Sequence, residues 1–134
     1  MDYRQAAEFL KIRDNYLILV HKRPDGDTTG CAAGLCRALR ALGKTAFVLP
    51  SPDATALLAG YLDGLTAPDG YEPDTVVSVD VASLGLLPPN AAPYKDCIDL
   101  AIDHGAHILD MLRDPQVVKP ANPANAHIIL DEED

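Results

Sequence analysis

The fold of this chain is predicted most clearly by residues 16–30, Tyr16-Leu17-Ile18-Leu19-Val20-His21-Lys22-Arg23-Pro24-Asp25-Gly26-Asp27-Thr28-Thr29-Gly30. Its first five residues form a short apolar run, which is typical of a strand buried in a parallel sheet. The run ends in a segment with proline and glycine, where a regular strand cannot continue. His21, Asp25 and Asp27 therefore follow the carboxyl end of a strand, and in open α/β sheets ligands bind at that end.

Apolar runs and helical patterns alternate along the rest of the chain. The periodicity predicts helices over about residues 5–13, 28–42 and 54–62, and strands over 16–20, 45–49, 75–79 and 97–102. This rhythm predicts an α/β fold with a mainly parallel sheet flanked by helices. Because the crossovers in such sheets are right-handed, the carboxyl ends of the strands meet at one edge.

Metal-type side chains follow three of the predicted strands. Imidazole and carboxylate ligands suit manganese, magnesium or zinc, and two acids held close together repel unless cations lie between them. For the first loop alone, a solvated turn is the alternative, since Pro24-Asp25-Gly26 is typical of turns. Asp80 and the pair Asp103-His104 follow two more apolar runs, where an Asp can also cap the next helix. Three such strand ends together favour a metal site.

On these residues the chain resembles the DHH phosphoesterases, most closely the RecJ-like branch of oligoribonucleases and phosphoadenosine-phosphate (PAP) phosphatases. The resemblance is carried by His21 to Asp27 with Gly30, by Val79-Asp80-Val81-Ala82-Ser83, and by Ile102-Asp103-His104. It covers about residues 3–104. It implies a Rossmann-like three-layer domain over residues 1–104, followed by a divergent tail over residues 105–134 that forms no separate domain.

The resemblance also implies a centre of two divalent metals, usually manganese, with magnesium as the alternative. His21 and Asp25 would hold one ion. Asp27 and His104 would hold the second, and Asp80 would bridge both. In such a centre the paired metals activate a water molecule and clamp the phosphate oxygens during displacement at phosphorus.

The third motif departs from the family signature, which is Asp-His-His. By resemblance the catalytic residues are Asp80, Asp103 and His104, with Asp103 orienting the metal ligands. Gly105 stands where the family has a second histidine that contacts the phosphate, and His107 is two residues further on. The family's later metal-binding Asp and substrate domain are not matched either. We therefore expect a weakly active or inactive chain, as a truncated product or a natural short variant, that keeps the fold and at least one metal site.

Three functions agree with these motifs. The first is a metal-dependent phosphoesterase that hydrolyses short oligonucleotides or nucleotide phosphates such as PAP. The second is a noncatalytic module that binds a metal or a nucleotide on the same scaffold. The third is a relative of the manganese-dependent inorganic pyrophosphatases, although the predicted helix before the first strand fits the oligoribonuclease branch better.

Composition limits the partners and the compartment. A chain of 134 residues that is 48% hydrophobic can bury one core, so one domain is expected. A net charge of −9 opposes binding of long duplex DNA through a basic face and favours short phosphate substrates. No run approaches the ~20 apolar residues of a membrane span, and no signal core is visible, so a cytoplasmic protein is expected. A homodimer stays open as a partner, and Cys31, Cys36 and Cys97 are interpreted as reduced core residues.

Overall fold

The structure is a computed structural model that describes residues 3–24, 26–52, 60–81, 84–102 and 128–130. Five strands form one sheet in the order β2-β1-β3-β4-β5, and every neighbouring pair is parallel. The elements are α1 (Tyr3–Ile12), β1 (Tyr16–Leu19), α2 (Gly26–Ala41), β2 (Ala46–Leu49), β3 (Thr75–Val79), β4 (Ile98–Ile102) and β5 (Ile128–Leu130), with short 3-10 helices at Leu84–Leu86 and Pro89–Tyr94. The predicted α/β fold with a parallel sheet flanked by helices is confirmed.

Alternate residues of the strands face two separate apolar layers. Tyr16, Ile18 and Val20 belong to the larger cluster, which also holds the buried faces of α1 and α2. Leu17 and Leu19 belong to a smaller cluster on the opposite face, beneath the two 3-10 helices. Burial of one such leucine or isoleucine side chain contributes about 1.5–3 kcal/mol. The two layers hold β1 in the middle of the domain and fix the position of the loop that follows it.

Helix α2 begins and ends where local chemistry dictates. It starts at Gly26, two residues before the predicted start, so Gly26 and the main chain of Asp27 lie in its first turn. At its other end Gly43 adopts a left-handed φ of 83°. The Gly43 amide donates to Arg40 O and the Lys44 amide donates to Leu39 O, each at 3.0 Å, which is the Schellman pattern.

Other boundaries differ little from the prediction, and one strand was not predicted. Strand β3 spans the predicted residues, and β4 begins one residue later than predicted. Most of the predicted helix over 54–62 lies outside the described residues. Strand β5 was missed because three apolar residues after a proline-rich stretch are too few to show a period. In the described part of the chain, no helix has the length and apolar character needed to cross a bilayer.

Candidate active site at the carboxyl edge of the sheet

The ends of β1, β3 and β4 lie side by side. Leu19 pairs with Ser78, and two further steps along each chain lead to His21 and Asp80. Val79 pairs with Ile102, and the Asp80 amide donates a hydrogen bond to Ile102 O at 2.7 Å. His21 and Asp80 therefore follow the carboxyl ends of two paired strands, and Asp80 lies next to the end of β4.

Asp80 has a backbone conformation that few residues adopt. Its φ is 56°, in the left-handed region, and its side chain is half-buried. For a residue with a Cβ atom this conformation costs about 1–2 kcal/mol, although Asp tolerates it better than most residues. Such strain is concentrated at functional sites. Here it turns the chain sharply at the end of β3, immediately after the buried Val79.

The imidazole of His21 is held by its own loop. His21 Nδ1 accepts a hydrogen bond from the Arg23 amide at 2.9 Å. In a neutral ring this places the proton on Nε2. A histidine that binds a metal offers one nitrogen lone pair and donates its other N–H to a neighbour. His21 must therefore release the Arg23 amide before it can bind a cation, although its imidazole and the carboxylate of Asp80 are the donor types that suit manganese.

Hydrogen bonds join the loops that follow three adjacent strands. The Lys22 amide, after β1, donates to Leu86 O at 2.7 Å, in the 3-10 helix after β3. The hydroxyl of Ser51, after β2, donates to Lys22 O at 2.6 Å. Asn90 Nδ2 donates to Pro50 O at 2.8 Å and so links the outer two loops directly. The loop that carries His21 is therefore hydrogen-bonded to the loops that follow β2 and β3.

The predicted site residues divide into two groups. His21 and Asp80 are described and follow the ends of two paired strands, and the main chain of Asp27 lies in the first turn of α2. Asp25, Asp103, His104 and the side chain of Asp27 lie outside the described residues. Within the described ranges no three His, Cys, Asp or Glu side chains gather in one place. The complete ligand set thus stays a prediction.

Carboxylates at the opposite, amino edge of the sheet have main-chain partners. Asp14 Oδ1 accepts hydrogen bonds from the Thr45 and Asn15 amides, both at 2.7 Å. These two amides, Thr45 first, lower the pKa of Asp14 below its ordinary value. Asp99 Oδ2 accepts from the Val76 amide at 2.9 Å. An open hollow of about 240 Å³ at this edge is lined by Ile12, Arg13, Asp14, Asp74 and Thr75.

That hollow is not the predicted site. It lies at the end of the strands remote from His21 and Asp80. Its two carboxylates are already engaged, because Asp74 Oδ2 accepts from the side-chain amide of Asn15 and Asp14 binds main-chain amides. We therefore assign these acids to the stability of the sheet.

The cysteines have three different environments. Cys36 is buried, its thiol donates to Ala46 O at 3.3 Å, and burial raises its pKa, which fits the predicted inert core residue. Cys31 is half-buried, whereas Cys97 is exposed. The core interpretation is therefore wrong for Cys97, which precedes β4 rather than lying within it.

Over 50 residues the chain is 46% identical to the bifunctional oligoribonuclease and PAP phosphatase NrnA of Thermus thermophilus. The match covers 37% of this chain and 15% of that protein, so the chain matches far less than two thirds of its relative's length. No family model matches the chain. The local similarity supports a relationship to the DHH phosphoesterases at the level of the family.

Proposed function

We propose that the chain carries a metal-dependent phosphoesterase site for short oligonucleotides or nucleotide phosphates such as PAP. The observation that carries this proposal is that His21 and Asp80 follow the carboxyl ends of the paired strands β1 and β3. The local similarity to a protein named as an oligoribonuclease and PAP phosphatase supports the substrate class. The net charge of −9 opposes long polyanions more strongly than short ones.

The site residues would divide the work as follows. His21 and Asp80 hold divalent cations, and by resemblance Asp25, Asp27 and His104 complete the ligand set. Bound manganese would lower the pKa of a water molecule and clamp the phosphate oxygens. Asp103 would orient the ligands.

The loop and helix around the site would prepare it for substrate. His21 would give up its hydrogen bond with the Arg23 amide in order to hold a cation. The main-chain amide groups in the first turn of α2 would add positive potential for the substrate phosphate.

Calorimetry with manganese, paired with assays of phosphate release, tests this function. The substrates are a dinucleotide, PAP and inorganic pyrophosphate in one buffer. Manganese binding with hydrolysis of the dinucleotide or PAP is the expected result. Hydrolysis of pyrophosphate alone would favour the pyrophosphatase relative, and failure to bind manganese would contradict the proposal.

A noncatalytic metal- or nucleotide-binding module is the second candidate, and Gly105 is the observation that favours it. The family has a phosphate-contacting histidine at this position. Removal of one group that stabilises the transition state typically costs about 100- to 1,000-fold in rate. Weak hydrolysis by the unchanged chain is therefore expected for the enzyme.

Gly105→His separates the two candidates. For an enzyme weakened at this position, we expect hydrolysis to rise at least about 10-fold. Ala106→His is the matched control, because it adds the same side chain one position away. Manganese binding with no hydrolysis by either variant would favour the module.

A further inference from the structure

The peptide group on each side of Lys22 is held by a neighbouring strand loop. Lys22 N–H donates to Leu86 O, and Lys22 C=O accepts from Ser51 Oγ. Because β1 lies between β2 and β3, these bonds reach the β1 loop from both flanks. The residue they hold follows His21 directly in the chain. A shift of Lys22 would therefore move the His21 ring relative to Asp80.

Ser51 is the side chain in this arrangement that sequence reasoning did not find. It is 5% exposed and donates at 2.6 Å to a main-chain carbonyl 29 residues earlier in the chain. A half-buried carbonyl such as Lys22 O incurs a desolvation penalty when it loses its donor, so we expect the loop to move to recover a partner. A single serine after an apolar strand carries no pattern that distinguishes it from a turn residue, and its partner is visible only in the fold.

We propose that Ser51 is a positioning residue for the metal site, acting through Lys22 to keep His21 within reach of a cation shared with Asp80. This inference rests on the proposed function, since it concerns the same site. Ser51 itself contacts neither the metal nor the substrate. Residues that orient metal ligands typically change metal affinity by about 10- to 100-fold when they are removed.

The test compares two buried hydroxyl groups at opposite edges of the sheet. Ser51→Ala removes the donor to Lys22 O. Thr75→Val removes the hydroxyl group that donates to Asp14 O at 3.2 Å, and Thr75 is 1% exposed. Each removal should destabilise the fold by about 1 kcal/mol, measured by urea unfolding. Only Ser51→Ala should weaken manganese binding, by at least about 10-fold in calorimetry.

A conservative variant separates positioning from bulk stability. Ser51→Thr keeps the hydroxyl group, and we expect it to bind manganese as tightly as the unchanged chain. Unaltered binding by Ser51→Ala, or equal weakening in Ser51→Ala and Thr75→Val, would overturn the role of Ser51 while leaving the proposed function intact. Absence of manganese binding in the unchanged chain would overturn both. Urea unfolding of each variant confirms that the compared proteins are folded.

Discussion

Carboxylates at the amino edge of the sheet accept hydrogen bonds from main-chain amides, whereas the described loops at the carboxyl edge are joined through hydrogen bonds to main-chain carbonyl oxygens. Asp14 and Asp99 each bind amides near the starts of strands. At the carboxyl edge, the hydrogen bonds that join the loops and strand ends terminate on the carbonyl oxygens of Lys22, Pro50, Leu86 and Ile102.

The two edges of the sheet suggest different interpretations of an acidic residue next to a strand. An acid before or at the start of a strand can be satisfied by the fold itself, as Asp14 is. We propose that an acid directly after a strand, such as Asp80, serves as a metal ligand instead. We therefore propose that sequence position relative to strand direction helps to distinguish a structural acid from a candidate ligand.

The largest change in manganese affinity is expected for a substitution at the carboxyl edge and not at the amino edge. Asp80→Asn should weaken manganese binding by at least about 100-fold, since loss of a direct ligand exceeds the 10- to 100-fold typical of groups that only orient ligands. The matched control is Asp99→Asn, which keeps an oxygen able to accept from the Val76 amide. Calorimetry on both variants makes the measurement. Equal losses of affinity at the two positions would remove the distinction between the edges.

A smaller effect is expected at the amino edge. Asp14→Ala removes the acceptor for two amides and should lower the free energy of unfolding. The expected loss is only about 1.5 kcal/mol, because much of the Asp14 side chain is exposed. Manganese affinity should not change. Urea unfolding at neutral pH measures the loss.

The same residue gives a pH dependence with a defined sign. The pKa of folded Asp14 lies below its ordinary value of 3.8. Its contribution to stability is therefore present above pH 3.8 and declines as the pH falls towards the folded pKa. Asp14→Ala should thus lose less stability between pH 5 and pH 2, roughly the acid range, than the unchanged chain does. A larger acid loss in the variant would contradict this role.

The smallest expected effect concerns two residues other than glycine with a positive φ, one at each edge of the sheet. Asn15 has a φ of 55° before β1, and Asp80 has a φ of 56° after β3. Asp80→Gly should be more stable than Asp80→Ala by about 1 kcal/mol, because glycine adopts a positive φ without a steric penalty. The same difference is expected between Asn15→Gly and Asn15→Ala. Thermal unfolding of the four variants tests it, and equal stabilities within each pair would show that the backbone there is not strained.

The sequence predicted what depends on local pattern and strand direction. The apolar runs predicted β1 and β3, and right-handed crossovers predicted that Asp80 would end beside the His21 loop. The hydrogen bonds of Ser51 and Asp99 were not predictable, because each partner lies more than twenty residues away in the chain. The bond between the Arg23 amide and His21 Nδ1 is local, but it depends on the dihedral angles of the loop, which composition does not specify.

The central claim is that cations bind at the carboxyl edge rather than at the amino edge. The direct measurement is the loss of amide signals in proton-nitrogen NMR spectra as small amounts of manganese are added, since paramagnetic broadening falls steeply with distance. Four to five residues of strand separate the edges by about 13–17 Å. If manganese binds at the carboxyl edge, we expect the Lys22 and Val81 signals to broaden first, while those of Asn15 and Thr75 persist. Broadening that begins at Asn15 and Thr75, or that is uniform across the sheet, would contradict it.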